Sequence, residues 1–148
     1  MGKTYGWTGS LLRIELPSGE FYKTQSMEYA EDFIGGRLLA SRIYWDEVSQ
    51  STQALDPDNV LMFMPGPLTG TQAIGCSRWV ISAKSPHSFP DQYGFGNGGG
   101  FFGAALKRSG FDGLIIQGKA KALSYILLEN EKVEMKDAEG LVKRRARK

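Results

Sequence analysis

Nineteen of the 148 residues are glycine, and their placement constrains the fold more than any other feature of the chain. An average protein holds about 7% glycine. The excess argues for many turns and close backbone approaches, and against a helical bundle. Between the glycines lie short segments that can be read in order. Leu11 to Leu16 alternates imperfectly, Pro17-Ser18-Gly19 breaks the run, and Glu20 to Thr24 resumes it, which predicts a β-hairpin. Ser26 is placed to cap a helix with Glu28, Glu31 and Asp32 near its start, ending at Phe33-Ile34 before Gly35-Gly36. A second helix is expected over Leu38 to Val48, with Leu39, Ile43 and either Tyr44 or Trp45 facing inward.

Val60 to Met64, stopped by Pro65-Gly66-Pro67, and Trp79 to Lys84, ended by Pro86, have the length and apolarity of buried strands. A glycine-rich loop follows, then a helical segment from Phe102 to Ser109 closed by Gly110. Leu114-Ile115-Ile116 reads as a buried strand. Tyr125 to Glu129 and Val133 to Met135 read as a final hairpin around Asn130-Glu131-Lys132. Strands, two helices, strands, one helix and strands again give an α+β domain with antiparallel sheets.

Several functions are excluded by what the chain lacks. Cys76 is its only cysteine and His87 its only histidine, so it can form no intrachain disulfide. Nor can it build a zinc site on Cys and His, or hold an iron–sulfur cluster by four cysteines. His87, between Pro86 and Ser88, reads as an exposed loop histidine. No run reaches the roughly 18 apolar residues of a membrane span, and the first residues lack the apolar core of a signal peptide, so a cytoplasmic protein is expected. The net charge of +2 is misleading, because Lys143-Arg144-Arg145-Ala146-Arg147-Lys148 carries five positive charges. We read residues 142–148 as a solvated basic tail on a domain spanning 1–141, and the protein as not binding nucleic acid.

Chemistry is concentrated in two turn clusters. Asn97-Gly98-Gly99-Gly100-Phe101-Phe102-Gly103 runs into Ala104-Ala105-Leu106-Lys107, where bare glycine backbone and a helix start offer N–H donors to an anion. It matches neither the dinucleotide fingerprint nor a Walker A loop. Pro65-Gly66-Pro67-Leu68-Thr69-Gly70-Thr71 supplies hydroxyls and backbone donors but no charge. Arg78 opens the strand that Lys84 closes, and its forked guanidinium suits a phosphate, although a surface salt bridge explains either residue as well. Asp46, Glu47 and Asp112 read as structural or solvated, and no acid–base pair emerges. Taken singly, each cluster is equally a plain structural turn.

Their order says more. Tyr5-Gly6-Trp7-Thr8-Gly9, Phe33-Ile34-Gly35-Gly36-Arg37, Gly66-Pro67-Leu68-Thr69-Gly70-Thr71, Arg78, Ala83-Lys84-Ser85-Pro86, Asn97-Gly98-Gly99-Gly100-Phe101-Phe102-Gly103-Ala104, Leu106-Lys107, Gly110-Phe111-Asp112-Gly113 and Gly118-Lys119-Ala120 follow one another. From about Tyr5 to Glu139 this series resembles the N-terminal domain of the aldehyde ferredoxin oxidoreductases, which use tungsten and sometimes molybdenum. The resemblance implies a β-rich, two-sheet saddle that carries a metal bis-pterin cofactor. It implies that Arg78 contacts a pterin phosphate and that the backbone of Asn97 helps hold a magnesium ion between two pterin phosphates. It also implies that the backbone of Gly99 lies against the cofactor.

The family oxidises aldehydes to carboxylic acids and passes electrons through an iron–sulfur cluster to ferredoxin. Cys76-Ser77 stands where the family has small residues or glycine. After Asp137-Ala138-Glu139-Gly140-Leu141 the family continues with Trp-Gly and a helix, where this chain has its basic stretch. The expectation is therefore the cofactor-binding part of an oxidoreductase, inactive alone, with the cluster and substrate pocket supplied by the rest of the enzyme or a partner subunit. The alternatives are a stand-alone pterin-binding or assembly module, and a decayed remnant.

Overall fold

Leu11, Leu12 and Ile14 are all buried, although adjacent residues of a strand point to opposite faces. Their strand is therefore covered on both sides. In the computed structural model, which describes residues 5–142, β1 (Ser10–Glu15) lies inside a six-stranded sheet. The other strands are β2 (Glu20–Gln25), β3 (Val60–Pro65), β4 (Trp79–Ser85), β5 (Gln92–Gly98) and β6 (Gly113–Gln117). Their order across the sheet is β2-β1-β6-β3-β4-β5. A separate two-stranded sheet pairs β7 (Ser124–Glu129) with β8 (Lys132–Asp137). The helices are α1 (Ala30–Phe33), α2 (Gly36–Glu47), α3 (Phe102–Arg108) and α4 (Glu139–Val142). The α+β, sheet-dominated class is the one expected; the basic residues 143–148 lie outside the described residues.

Two apolar clusters hold the layers together, one on each sheet face. On one face α2 sets Leu39, Ala40 and Ile43 against Leu11, Met62, Met64 and Ile115. On the other, Leu106 of α3 and Phe111 pack on Leu12, Ile14 and Leu114, and the β7–β8 hairpin adds Ile126, Leu128 and Val133. A fully buried Leu, Ile or Phe stabilises the fold by roughly 1.5–3 kcal/mol, so these clusters dominate the apolar contribution.

Three expectations are corrected and one open alternative is resolved. The large sheet is mixed, because β1 and β6 run parallel, with Leu11 opposite Gly113. A parallel pair needs a long crossover, and four strands and the helices between them supply it, so nothing local in the sequence marks its direction. Ser26 caps no helix: a 3-10 turn, Met27–Tyr29, precedes α1, and the Ser26 hydroxyl donates instead to Asp112 Oδ2 at 2.5 Å. Of the two aromatics at the end of α2, Tyr44 turns inward onto Tyr93, ring centroids 4.8 Å apart, and Trp45 is exposed.

The third correction concerns β5, expected as a loop. Its sequence, Gln-Tyr-Gly-Phe-Gly-Asn-Gly, has poor strand propensity. The strand forms because the side chains of β4 lean across its bare backbone. A Cβ on Gly98 would lie 2.3 Å from the Trp79 ring, and one on Gly94 would lie 2.9 Å from Ser85 Cβ.

Candidate functional site

The register of β4 and β5 builds the site. Trp79 lies opposite Gly98 and Val80 opposite Asn97. Arg78 and Gly99 therefore sit side by side, each one residue beyond the end of the ladder. The resemblance groups Arg78, Asn97 and Gly99 around one cofactor, and the strand register sets all three at one corner of the sheet. Asn97 belongs to a strand, correcting its expected loop setting; the turn proper is Gly99 to Phe101, and Gly100 makes it with a φ of +79°. Among the described strands β5 is an edge, so part of its main chain faces away from the ladder.

Both halves of the corner are tied down through the backbone. The Thr69 hydroxyl donates to the Arg78 carbonyl at 3.0 Å and accepts from the Gly66 N–H at 3.1 Å, fastening the Gly66–Thr71 loop to the start of β4. The indole Nε1 of Trp79 donates to the Gly99 carbonyl at 3.2 Å. Phe63, Trp79 and Phe102 pack as an aromatic trio beneath the turn, with centroids 4.8–5.8 Å apart. Gly103 lets α3 close onto this trio, since a Cβ there would lie 3.0 Å from Thr69 Cγ2. The main chain of the corner is thus held while the side chains of Arg78 and Asn97 stay exposed. Among the described residues no ion pair engages Arg78.

Beside the corner lies a cleft of about 400 Å³, lined by Gly70, Thr71, Cys76, Ser77, Gly100 and their neighbours. Sequence reading missed it, because its walls come from two separate segments, residues 70–77 and the turn and helix of residues 100–108. It also missed Trp79 as the anchor of Gly99. The available signal was the alternation of Gly94, Gly96 and Gly98, a period-2 pattern that marks one bare face of a strand.

Other charged residues have structural partners. Lys84, for which a surface salt bridge was an expected explanation, is buried, and its ammonium donates to the Gln50 carbonyl at 2.8 Å. Lys107 donates to the Gly6 carbonyl at 2.6 Å and to Asp112, so it does not reach the turn that begins its helix. Asp112 is a buried hub that also accepts the Thr8 N–H at 2.9 Å and the Gly9 N–H at 2.8 Å. Burial pushes its carboxyl up, but hydrogen bonds from Lys107, Ser26 and Thr8 outweigh burial and hold it below its ordinary value. Glu47 pairs with Arg13 and Asp46 with Arg42. His87 is exposed. No group of three or more His, Cys, Asp or Glu gathers among the described residues, and no described helix is long and apolar enough to cross a membrane.

The domain thus presents, at the edge of a mixed sheet, a pinned glycine turn with an arginine beside it. The pattern for the aldehyde ferredoxin oxidoreductase N-terminal domain matches residues 11–148, and the chain belongs to that family. It is 37% identical to the tungsten-containing aldehyde ferredoxin oxidoreductase of Thermococcus kodakarensis, over 93% of this chain and 22% of that protein. It is 35% identical to the aliphatic sulfonate oxidoreductase, WOR-like subunit, of Pyrococcus furiosus, over 90% of this chain and 22% of that one. A solved structure, the active-site complex BamBC of benzoyl coenzyme A reductase with 1,5-dienoyl-CoA, superposes with a TM-score of 0.88 at 35% identity. It covers 93% of this chain and 21% of its own. The chain spans about a fifth of the length of these relatives.

The corner fits a phosphate-bearing cofactor of the kind the family implies. A guanidinium is exposed at the required place, and a Cβ added to Gly99 would meet no atom within 4 Å, so a ligand can approach the backbone there. None of the residues lining the neighbouring cleft is acidic. Main-chain oxygen at the edge of β5 is also a suitable donor for a hard cation such as magnesium.

Proposed function

We propose that this chain is the cofactor-binding part of a tungsten- or molybdenum-pterin oxidoreductase. The observation that carries the reading is the β4–β5 register, which sets Arg78 beside the Gly99–Phe101 turn in a domain of this family. Arg78 offers two parallel N–H donors to a pterin phosphate, a geometry that a lysine does not reproduce. Asn97 would help hold a magnesium ion through its backbone, and the backbone of Gly99 would give the pterin a surface without side chains. The Thr69 and Trp79 hydrogen bonds hold these groups in place before any ligand binds, which lowers the ordering cost of binding.

When bound, the metal–pterin group supplies two-electron redox chemistry. In the complete enzyme an aldehyde and water become a carboxylic acid, with two electrons leaving through an iron–sulfur cluster to ferredoxin and two protons to solvent. This chain, with one cysteine, holds the cofactor phosphates; the rest of the enzyme or a partner subunit provides the cluster, the electron path and the substrate pocket. A cytoplasmic setting belongs to the same reading, supported by the impossibility of an intrachain disulfide.

Arg78→Ala in the complete, metal-loaded enzyme is expected to weaken cofactor retention by about 1–3 kcal/mol, the usual worth of a hydrogen bond to a charged group. Tungsten and molybdenum content by elemental analysis, before and after dialysis, reads the loss directly. Metal content equal to that of the parent after dialysis would overturn the role of Arg78.

A further inference from the structure

We infer that Arg108 is a second cationic contact for a phosphoryl group of the same cofactor, an assignment that rests on the reading of the Arg78 corner as a phosphate site. Residues 100, 104 and 108 recur at four-residue spacing, so Gly100, Ala104 and Arg108 line one stripe along α3 and the turn before it. All three border the cleft of about 400 Å³. The floor of that cleft is open because its residues are small. A Cβ on Gly70 would lie 3.2 Å from Ala104 Cα, so the Gly66–Thr71 loop and α3 meet with no larger side chain between them.

Above this floor the walls are chemically one-sided. Thr71 and Ser77 bring hydroxyls, Cys76 a thiol and Arg108 a guanidinium, with no carboxylate among the lining residues. Ser77, which lines the cleft, is followed directly by Arg78, so the cleft adjoins the Arg78 corner along the chain. The neighbouring cation of α3, Lys107, turns the other way and is committed to Gly6 and Asp112. Arg108 is exposed, and among the described residues it has no ion pair. A space of this size, within the range of ordinary ligand pockets, takes a phosphate ester and leaves the organic part of the molecule outside. A second guanidinium within reach of the phosphate bound at the Arg78 corner would match the charge of a dianion better than one.

The test measures binding of inorganic phosphate and of a pterin phosphomonoester to the 148-residue chain by calorimetry at low salt. Parent, Arg78→Ala, Arg108→Ala and Arg108→Lys proteins are compared, with circular dichroism confirming equal folding. Arg108→Ala is expected to weaken both ligands about two- to fivefold, as loss of one solvated charge contact implies. Arg108→Lys should recover part of the loss, and added salt should shrink the difference. Binding unchanged in Arg108→Ala but weakened in Arg78→Ala would overturn the inference and leave the Arg78 site standing. Binding unchanged in both, or undetectable in the parent, would remove the site and the inference together. An equal loss in Arg108→Lys and Arg108→Ala would show that the fork of the guanidinium, beyond its charge, is required.

Discussion

The most committed single residue is Asp112, whose side chain is 1% exposed and accepts from Thr8, Gly9, Ser26 and Lys107. Sequence reading took it as structural or solvated, and the structural half of that alternative is the one observed. Removing one partner of a buried pair leaves the other charge stranded, so Asp112→Asn should destabilise the chain by about 3–5 kcal/mol, read by urea unfolding. The pH dependence has a definite sign. The folded carboxyl sits below its ordinary value, so its contribution is complete above the unfolded value of about 4 and fades as pH falls through the lower folded value. Wild-type stability should fall in that acid window, and the Asp112→Asn protein should show a flatter profile. A wild-type profile no steeper than the variant's would count against the hub.

At the scale of elements, β5 is the segment that sequence reading handled least well. Strand formation there depends on neighbours in β4, above all Trp79 lying over Gly98. Gly98→Ala would force the indole away, breaking its bond to the Gly99 carbonyl; overpacking of this kind costs about 1–3 kcal/mol. Thermal unfolding and tryptophan emission of Gly98→Ala check it, and an unshifted midpoint would mean that the ring moves without cost. Elements that announce themselves by local pattern were legible: the β1–β2 hairpin through Pro17-Ser18-Gly19, α2 through Leu39 and Ile43, and β3 through its run of apolar residues. Parallel pairing of β1 with β6 was not, since Leu11 and Gly113 are joined only by tertiary packing. Arg78, Asn97 and Gly99 were found through the resemblance, but their meeting place came only from strand register. Arg108 lay unread because a four-residue stripe on a short helix means nothing until the opposing Gly66–Thr71 loop is in place.

For the molecule as a whole, the relatives set a useful limit. Proteins named for an aldehyde, for aliphatic sulfonates and for benzoyl coenzyme A share this domain at 35–37% identity. Membership of the family therefore does not by itself fix a substrate for this chain. The same chain presents several large apolar side chains to solvent, among them Ile74, Phe89 and Phe101, and ends its sheet on the open edge of β5. Such a surface favours self-association. Sedimentation of the 148-residue chain should show mass rising with concentration, and Phe101→Ser should reduce it. A monomer at every concentration would mean that the edge is protected.

The position of Asn97 on that edge bears on the order of biogenesis. On the proposed assignment, whatever polypeptide comes to pair with β5 also walls in the magnesium ligand. Were a partner strand to cover that edge, a cofactor bound before docking would be retained behind it.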